Sequence, residues 1–147
     1  GRWSFEDFLF LAETWRKERR GENVSMEIDE LSGIVIDECI ALHRELGPGL
    51  FENVYEAVLA GRLERRGLSV ARQFAVAVGI DGQVFDPAFR VDILVEGRLV
   101  LEIKAVERLS QTHIRQLLTY LRLLKLPVGL LLNFSHGTMK DGIRRVS

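Results

Sequence analysis

Two acidic residues and a lysine lie inside neighbouring apolar segments of the chain. Asp92 lies in one β-prone segment, and Glu102 and Lys104 lie in the next one, after a turn at Glu96-Gly97. A charge inside an apolar strand costs free energy unless another group pairs with it. Three charges gathered at one end of a hairpin therefore indicate a site that binds a divalent metal ion and activates water.

The register of this hairpin decides whether the three side chains meet. Glu102 and Lys104 share one face, because residues two apart in a strand point the same way. A two-residue loop would place Asp92 on the opposite face. A three-residue loop at 95–97, ending in a glycine, pairs residue 94 with 98 and residue 92 with 100. We predict this longer loop, since it brings Asp92 to the face of the other two.

Hydrophobic periodicity and turn signals predict the elements that position these residues. Asp81-Gly82 is a hairpin signal, and Gly47-Pro48-Gly49 ends a helix. The order of helices, three-strand meander, helix and strand predicts an α/β sandwich around a mixed sheet. Helices are expected at about 29–45, 51–66 and 110–125, and strands at about 70–80, 83–95, 98–105 and 128–134, with a short edge strand within 143–147.

Residues 1–25 are expected to form an N-terminal helical extension and linker, ahead of one domain at 26–147. Residues 5–20 carry an apolar stripe at helical spacing, and residues 21–27 are polar. The stripe could pack on its own domain or on a second copy, so a homodimer is one expectation. Met26 could be an alternative start, and the sequence leaves open whether 1–25 belong to the natural domain.

Composition bounds the class of protein. The chain has 147 residues, of which 47% are hydrophobic and 28% charged, as in one soluble globular domain. The single cysteine, Cys39, excludes a disulfide framework and is expected to be a core residue. The apolar runs are too short to span a membrane, and cytoplasm is the expected compartment.

Charge is divided unevenly along the chain. Residues 26–60 carry eight acidic residues and one basic residue, whereas residues 61–147 carry fourteen basic and eight acidic residues. This asymmetry permits a polyanion such as nucleic acid to bind the second half. The alternative is a set of solvated helix faces, which composition alone favours.

Two polar clusters lie on predicted helices. Glu52, Tyr55 and Glu56 share one face of the helix at 51–66, because residues three and four apart are neighbours on a helix. A second cluster, His113, Gln116 and Tyr120, shares a face of the helix at 110–125. Each is weak alone, because Glu52 also suits the helix dipole and Gln116 an exposed surface.

Together these blocks resemble a known family. The motif Asp92…Glu102-x-Lys104 resembles that of the PD-(D/E)XK nuclease superfamily, whose restriction-endonuclease-like core has the order α-β-β-β-α-β. Gly49-x-x-Glu52-x-x-Tyr55 resembles the signature of the GxxExxY proteins, a branch of that superfamily, and 113–121 and 129–134 are also similar to it. The resemblance spans about 28–146. It departs at Val91, where the motif name has proline, and at Arg144-Arg145, where we expect a lysine–arginine pair.

The resemblance implies a Mg²⁺-dependent nuclease, with Mn²⁺ as a substitute, acting on DNA or RNA. It implies that Asp92, Glu102 and the backbone carbonyl of Ile103 bind the metal ion, which polarises the phosphate and activates water. Lys104 would orient or deprotonate that water, or stabilise negative charge. Glu52 would be an outer metal ligand, directly or through water.

Gln116 would position the substrate or water, with four further residues supporting the site from behind: Tyr55, Glu56, His113 and Tyr120. Seven arginines are implied as candidates for phosphate contact: Arg62, Arg65, Arg66, Arg72, Arg90, Arg108 and Arg115.

Two other readings remain open. The fold could be a catalytically inactive module that binds nucleic acid or a protein partner, because fold does not imply function. Alternatively, Glu102 and Lys104 could form an exposed salt-bridge ladder on a sheet edge, worth about 0–1 kcal/mol.

Overall fold

The computed structural model describes Phe5 and residues 26–147. The N-terminal helix and linker predicted for 1–25 therefore lie outside the described residues, apart from Phe5. The Phe5 ring packs edge-on against Phe74, with 6.0 Å between ring centroids. The division of the chain into an extension and a domain stays a prediction.

Two helices precede the sheet. The first, α1 (Ile28–Leu46), has acidic residues in its first turn and His43 and Arg44 in its last, as the helix dipole favours. Gly47 ends it at φ 68°. The second, α2 (Glu52–Arg65), packs on α1 and buries Leu59 and Leu63. Cys39 is fully buried on α1, which confirms its predicted place in the core.

A mixed sheet of five strands follows, in the order β1-β2-β3-β4-β5. The β3–β4 pair is parallel, and α3 (Gln111–Leu124) links these two strands. The other three pairs are antiparallel. The strands are β1 (Val70–Ile80), β2 (Gln83–Val95), β3 (Leu99–Lys104), β4 (Val128–Asn133) and β5 (Ile143–Val146).

The two faces of the sheet carry separate cores, because neighbouring residues of a strand point to opposite sides. Ile93 and Leu101 pack with α1 and α2. Leu94 and Val100 pack with α3 on the other face. The central strands are therefore covered on both sides, which explains why β3 and β4 are apolar almost throughout.

The predicted α/β sandwich around a mixed sheet is confirmed, and the observed bounds lie within two residues of the predicted ones. One helix was missed, α4 (Met139–Gly142), which is too short to show a helical period.

The predicted register of the β2–β3 hairpin is wrong by two residues. Val95 pairs with Leu99, and Ile93 pairs with Leu101. Glu96 and Gly97 both have positive φ, and the Arg98 N–H donates to the Val95 carbonyl. The loop therefore has the predicted length of three residues, but it spans 96–98 and so begins one residue later than predicted. Because the shift is an even number of residues, Asp92 still shares a face with Glu102.

No helix among residues 26–147 combines the length and apolar character that a membrane crossing requires.

Candidate active site

Asp92 and Glu102 meet where β2 and β3 stop pairing. The last recorded pair is Ile93 with Leu101, so Asp92 lies opposite Glu102 one step further along. There the Ile103 N–H donates to Asp92 Oδ2 at 2.8 Å, and the Asp92 N–H donates to Glu102 Oε1 at 3.4 Å. The Asp92 carboxylate thus takes a backbone donor on β3, and the two acids converge.

The electrostatics of this pair are unusual. Glu102 is only 4% exposed. Burial, followed by the charge of Asp92 and a hydrogen bond between the two carboxyl groups, raises the pKa of Glu102 to about 9. The charge of Lys104 acts in the opposite direction. Because Glu102 is buried, the alternative that Glu102 and Lys104 form an exposed salt-bridge ladder is excluded.

Gln73 on β1 holds Asp92 from the other side, and the sequence analysis missed it. The pairs Arg72–Ile93 and Phe74–Val91 place Gln73 opposite Asp92. Its φ of 48° is rare for a residue with a side chain. Gln73 Nε2 donates to Asp92 Oδ1 at 3.3 Å and to Glu56 Oε1 at 2.7 Å. The only signal in the sequence was a polar residue in an otherwise β-prone run.

Glu56 is linked to Asp92 through Gln73, and its predicted supporting role stays a prediction. It is buried on α2, and its Oε2 accepts from Arg72 at 2.9 Å and 3.1 Å. Gln73 connects this ion pair to Asp92. The Arg72 guanidinium is therefore paired with Glu56 and is not free to contact a phosphate.

Glu52 and Tyr55 connect α2 to the end of β3. Glu52 Oε1 accepts from the Ala105 N–H at 3.0 Å, one residue beyond Lys104. The Tyr55 hydroxyl donates to the Gly47 carbonyl at 2.6 Å and accepts from the Leu50 N–H at 3.2 Å. Tyr55 thus fixes the loop that precedes Glu52.

The polar residues of α3 have three different environments. Tyr120 stacks on Phe89 with 4.3 Å between ring centroids, and its pKa is raised by burial and by the charges of Glu102 and Asp92. His113 forms a capping box with Ser110, its Nδ1 accepting from the Ser110 N–H at 3.0 Å. Gln116 is exposed, and no hydrogen bond joins it to the acids among residues 26–147.

Three of the seven candidate arginines are held in ion pairs. Arg62 binds Glu45 at 2.5 Å, Arg66 binds Glu38 at 3.1 Å, and Arg72 binds Glu56. The other four are exposed: Arg65, Arg90, Arg108 and Arg115.

The donor set suits a hard divalent cation. Two converging carboxylates and the backbone at Ile103 offer oxygen ligands, as Mg²⁺ and Mn²⁺ prefer. The pKa of Glu102 is raised first by burial and then by the charge of Asp92, and a cation bound between the two acids would favour the ionised carboxylate. In the described part of the chain, no third His, Cys, Asp or Glu completes a metal-binding group. A role for Glu52 as a metal ligand stays a prediction.

Comparison with known proteins decides the family. The model of the PD-(D/E)XK nuclease superfamily matches residues 29–146. The chain belongs to this superfamily. A comparison with curated proteins finds no match. Among solved structures, the chain is similar to the crystal structure of SSO0001, with 16% identity, a TM-score of 0.36, and coverage of 98% of this chain and 76% of that one.

Membership confirms the predicted fold class, a mixed sheet flanked by helices with the PD-(D/E)XK core. Asp92 and Glu102, which the sequence predicts as part of the superfamily's motif, lie opposite each other at the open end of the β2–β3 hairpin, and their role as motif residues stays a prediction. Proteins of this superfamily are generally metal-dependent nucleases, so nucleic acid is the class of substrate that membership suggests.

Proposed function

We propose that this protein is a Mg²⁺-dependent nuclease of the GxxExxY branch, hydrolysing phosphodiester bonds of DNA or RNA. The observation that carries the proposal is the convergence of Asp92 and Glu102 at the end of β3, with Glu102 almost fully buried. Perturbed carboxyl groups of this kind concentrate at functional sites. The GxxExxY assignment is supported by Glu52 and Tyr55, which act together at the adjoining loop.

Asp92, Glu102 and the carbonyl of Ile103 would hold the metal ion, with Mn²⁺ as a substitute for Mg²⁺. When bound, such an ion supplies Lewis-acid polarisation of a phosphate and a lowered pKa for water. Gln73 and the Ile103 N–H hold the Asp92 carboxylate in place.

Lys104 supplies the positive charge of the site. It lies on the same face as Glu102, two residues along β3, and its charge acts on that carboxyl group. No carboxylate of residues 26–147 lies within 4 Å of its ammonium group. Lys104 is therefore available to orient the attacking water or to stabilise charge on the phosphate.

The residues around this centre would position the substrate. Glu52 is held at the end of β3 by its hydrogen bond with the Ala105 N–H. Tyr120 lies close enough to Glu102 and Asp92 for their charges to raise its pKa. Gln116, one helical turn before Tyr120, would contact the substrate or water from α3.

A cleavage assay with Mg²⁺ or Mn²⁺ on single- and double-stranded DNA and RNA tests the proposal. We expect the parent to cleave at least one substrate and Lys104→Ala to lose activity by at least about 100-fold, because removing one charge-stabilising group costs that much. Arg122→Ala is the matched control, since it removes an exposed positive charge from the far end of α3.

Metal binding is measured separately by thermal unfolding. We expect Mg²⁺ to raise the melting temperature of the parent and of Asp81→Asn, but not of Asp92→Asn. Asp81 is the control because it lies at the tip of the β1–β2 hairpin. A protein that binds nucleic acid, but neither cleaves it nor shows a Mg²⁺-induced rise in melting temperature, would instead be an inactive binding module.

A further inference from the structure

An exposed aromatic side chain directly precedes Glu52 in the chain. Phe51 is 81% exposed, and three further large apolar side chains near it in the chain are at least a third exposed. We call these four residues the Phe51 patch: Leu46, Leu50, Phe51 and Val54. Large apolar side chains gathered at one exposed place mark binding surfaces more often than chance.

The Phe51 patch adjoins the chemistry. Glu52, the next residue, accepts a hydrogen bond from the Ala105 N–H at 3.0 Å. Ala105 follows Lys104 directly. The backbone that carries Phe51 is therefore tied to the end of β3, where Glu102 and Lys104 lie.

The loop that presents Phe51 is held in one conformation. The Tyr55 hydroxyl bonds both Gly47 and Leu50, and the Tyr55 ring stacks on Phe134 at 4.5 Å and 9°. Tyr55 itself is fully buried. Because this backbone is fixed, binding through Phe51 need not order the loop, which lowers the cost of binding.

Positive charge lies next to the same loop. A cleft of about 680 Å³ is lined by Gly47 and Pro48 of the loop and by Arg44 and Lys140. Neither cation has a carboxylate within 4 Å among residues 26–147. Asp141 also lines the cleft, and its carboxylate accepts from the Thr138 hydroxyl at 2.8 Å. The cleft thus combines apolar surface with two cations that suit phosphates.

We propose that Phe51 stacks on an unpaired base of a single-stranded substrate next to the scissile phosphate, while Arg44 and Lys140 bind the neighbouring phosphates. The inference rests on the proposed nuclease function and names its substrate class. Bases of a duplex are stacked on one another, so an exposed ring on the protein reaches a base face only where the strand is unpaired. Aromatic platforms beside a cationic groove are how proteins bind single strands.

Fluorescence anisotropy in EDTA at fixed salt tests this, with a labelled single-stranded oligonucleotide and its duplex. Phe51→Ala is expected to weaken single-strand binding about 5- to 150-fold and to leave duplex binding unchanged. Phe51→Trp should restore binding, whereas Phe51→Leu should not, because leucine keeps apolar area without a ring. The control is Phe85→Ala, at another exposed aromatic ring, on the β1–β2 hairpin. An abasic strand should bind the parent and Phe51→Ala equally.

Unchanged single-strand affinity in a folded Phe51→Ala protein would overturn the inference, as would full rescue by leucine or no strand binding by the parent. Loss of self-association in Phe51→Ala, with strand binding intact, would assign the patch to a protein contact. Cleavage separates the two proposals. If Phe51 governs binding but Mg²⁺ supports no cleavage, stacking stands and the nuclease proposal fails. If Lys104→Ala abolishes cleavage, while Phe51→Ala binds and cleaves like the parent, the nuclease proposal stands and the stacking proposal fails.

Discussion

Asp92 is held from both neighbouring strands. Gln73 donates to one carboxylate oxygen from β1, and the Ile103 N–H donates to the other from β3. Gln73 also binds Glu56, which an ion pair with Arg72 fixes on α2. A side chain restrained in this way is positioned before any ligand binds, which lowers the cost of binding.

Gln73→Ala should therefore weaken metal binding rather than abolish the chemistry. Removing a residue that orients a metal ligand typically costs about 10- to 100-fold in affinity. We expect the Mg²⁺ concentration for half-maximal cleavage to rise by that factor, with most of the rate recovered at saturating Mg²⁺. Gln83→Ala, at the far end of the same hairpin, is the control. Identical Mg²⁺ dependence in the two variants would show that Gln73 does not position Asp92.

The residues of the candidate site differ in how far the sequence could predict them. Asp92, Glu102 and Lys104 can be proposed from the sequence because a charge in an apolar strand costs free energy unless it is paired, and the structure brings the two acids together. Gln73 could not be found, because its role depends on the β1–β2 register and on a φ of 48°. The supporting role predicted for His113 stays untested, while the structure shows its part in capping α3.

Among the elements, the last residue of β4 holds the chain that leaves the site. Asn133 is fully buried, and its side chain bonds both the N–H and the carbonyl of Val106. Val106 lies two residues after Lys104, so Asn133 fixes the chain leaving the site. The short helix α4 then packs Gly142 against the Asn133 carbonyl.

Gly142→Ala should destabilise the fold. A Cβ at this position would lie 2.2 Å from the Asn133 carbonyl oxygen, which is backbone and cannot turn aside. Overpacking of this kind typically costs about 1–3 kcal/mol, and urea unfolding would measure it. Gly33→Ala is the control, because no atom lies within 4 Å of its added Cβ. In mid-helix that change should stabilise by about 0.5–1 kcal/mol. Equal stabilities of the two variants would contradict this packing.

Most of the helices and strands could be predicted from the sequence, and the exceptions have physical reasons. Strands such as β4 are covered on both sides and read as continuous apolar runs. The β2–β3 register failed because the three-residue loop begins one residue later than predicted, and turn residues alone do not reveal this. Helix α4 has four residues, fewer than the period needs to show itself.

For the molecule as a whole, the protonation of Glu102 couples the site to the stability of the fold. In the folded chain the pKa of Glu102 is about 9, against 4.5 for an ordinary glutamate. Between these values the folded state keeps a proton that the unfolded state has released. Stability therefore falls as pH rises through this window. The loss is complete above about pH 9 and absent below about pH 4.5.

Glu102→Gln should remove this dependence. In EDTA, we expect the variant's advantage in free energy of unfolding to grow by up to about 1.4 kcal/mol per pH unit between pH 5 and 9, measured by urea unfolding. Glu107→Gln, at an exposed carboxylate in the loop after β3, should follow the parent. At pH 8, Mg²⁺ should raise the stability of the parent but not that of Glu102→Gln, since a cation would favour the ionised carboxylate that the variant lacks. Parallel pH profiles for parent and Glu102→Gln would mean that Glu102 is ionised and solvated in the folded protein, which would remove the electrostatic basis of the metal site.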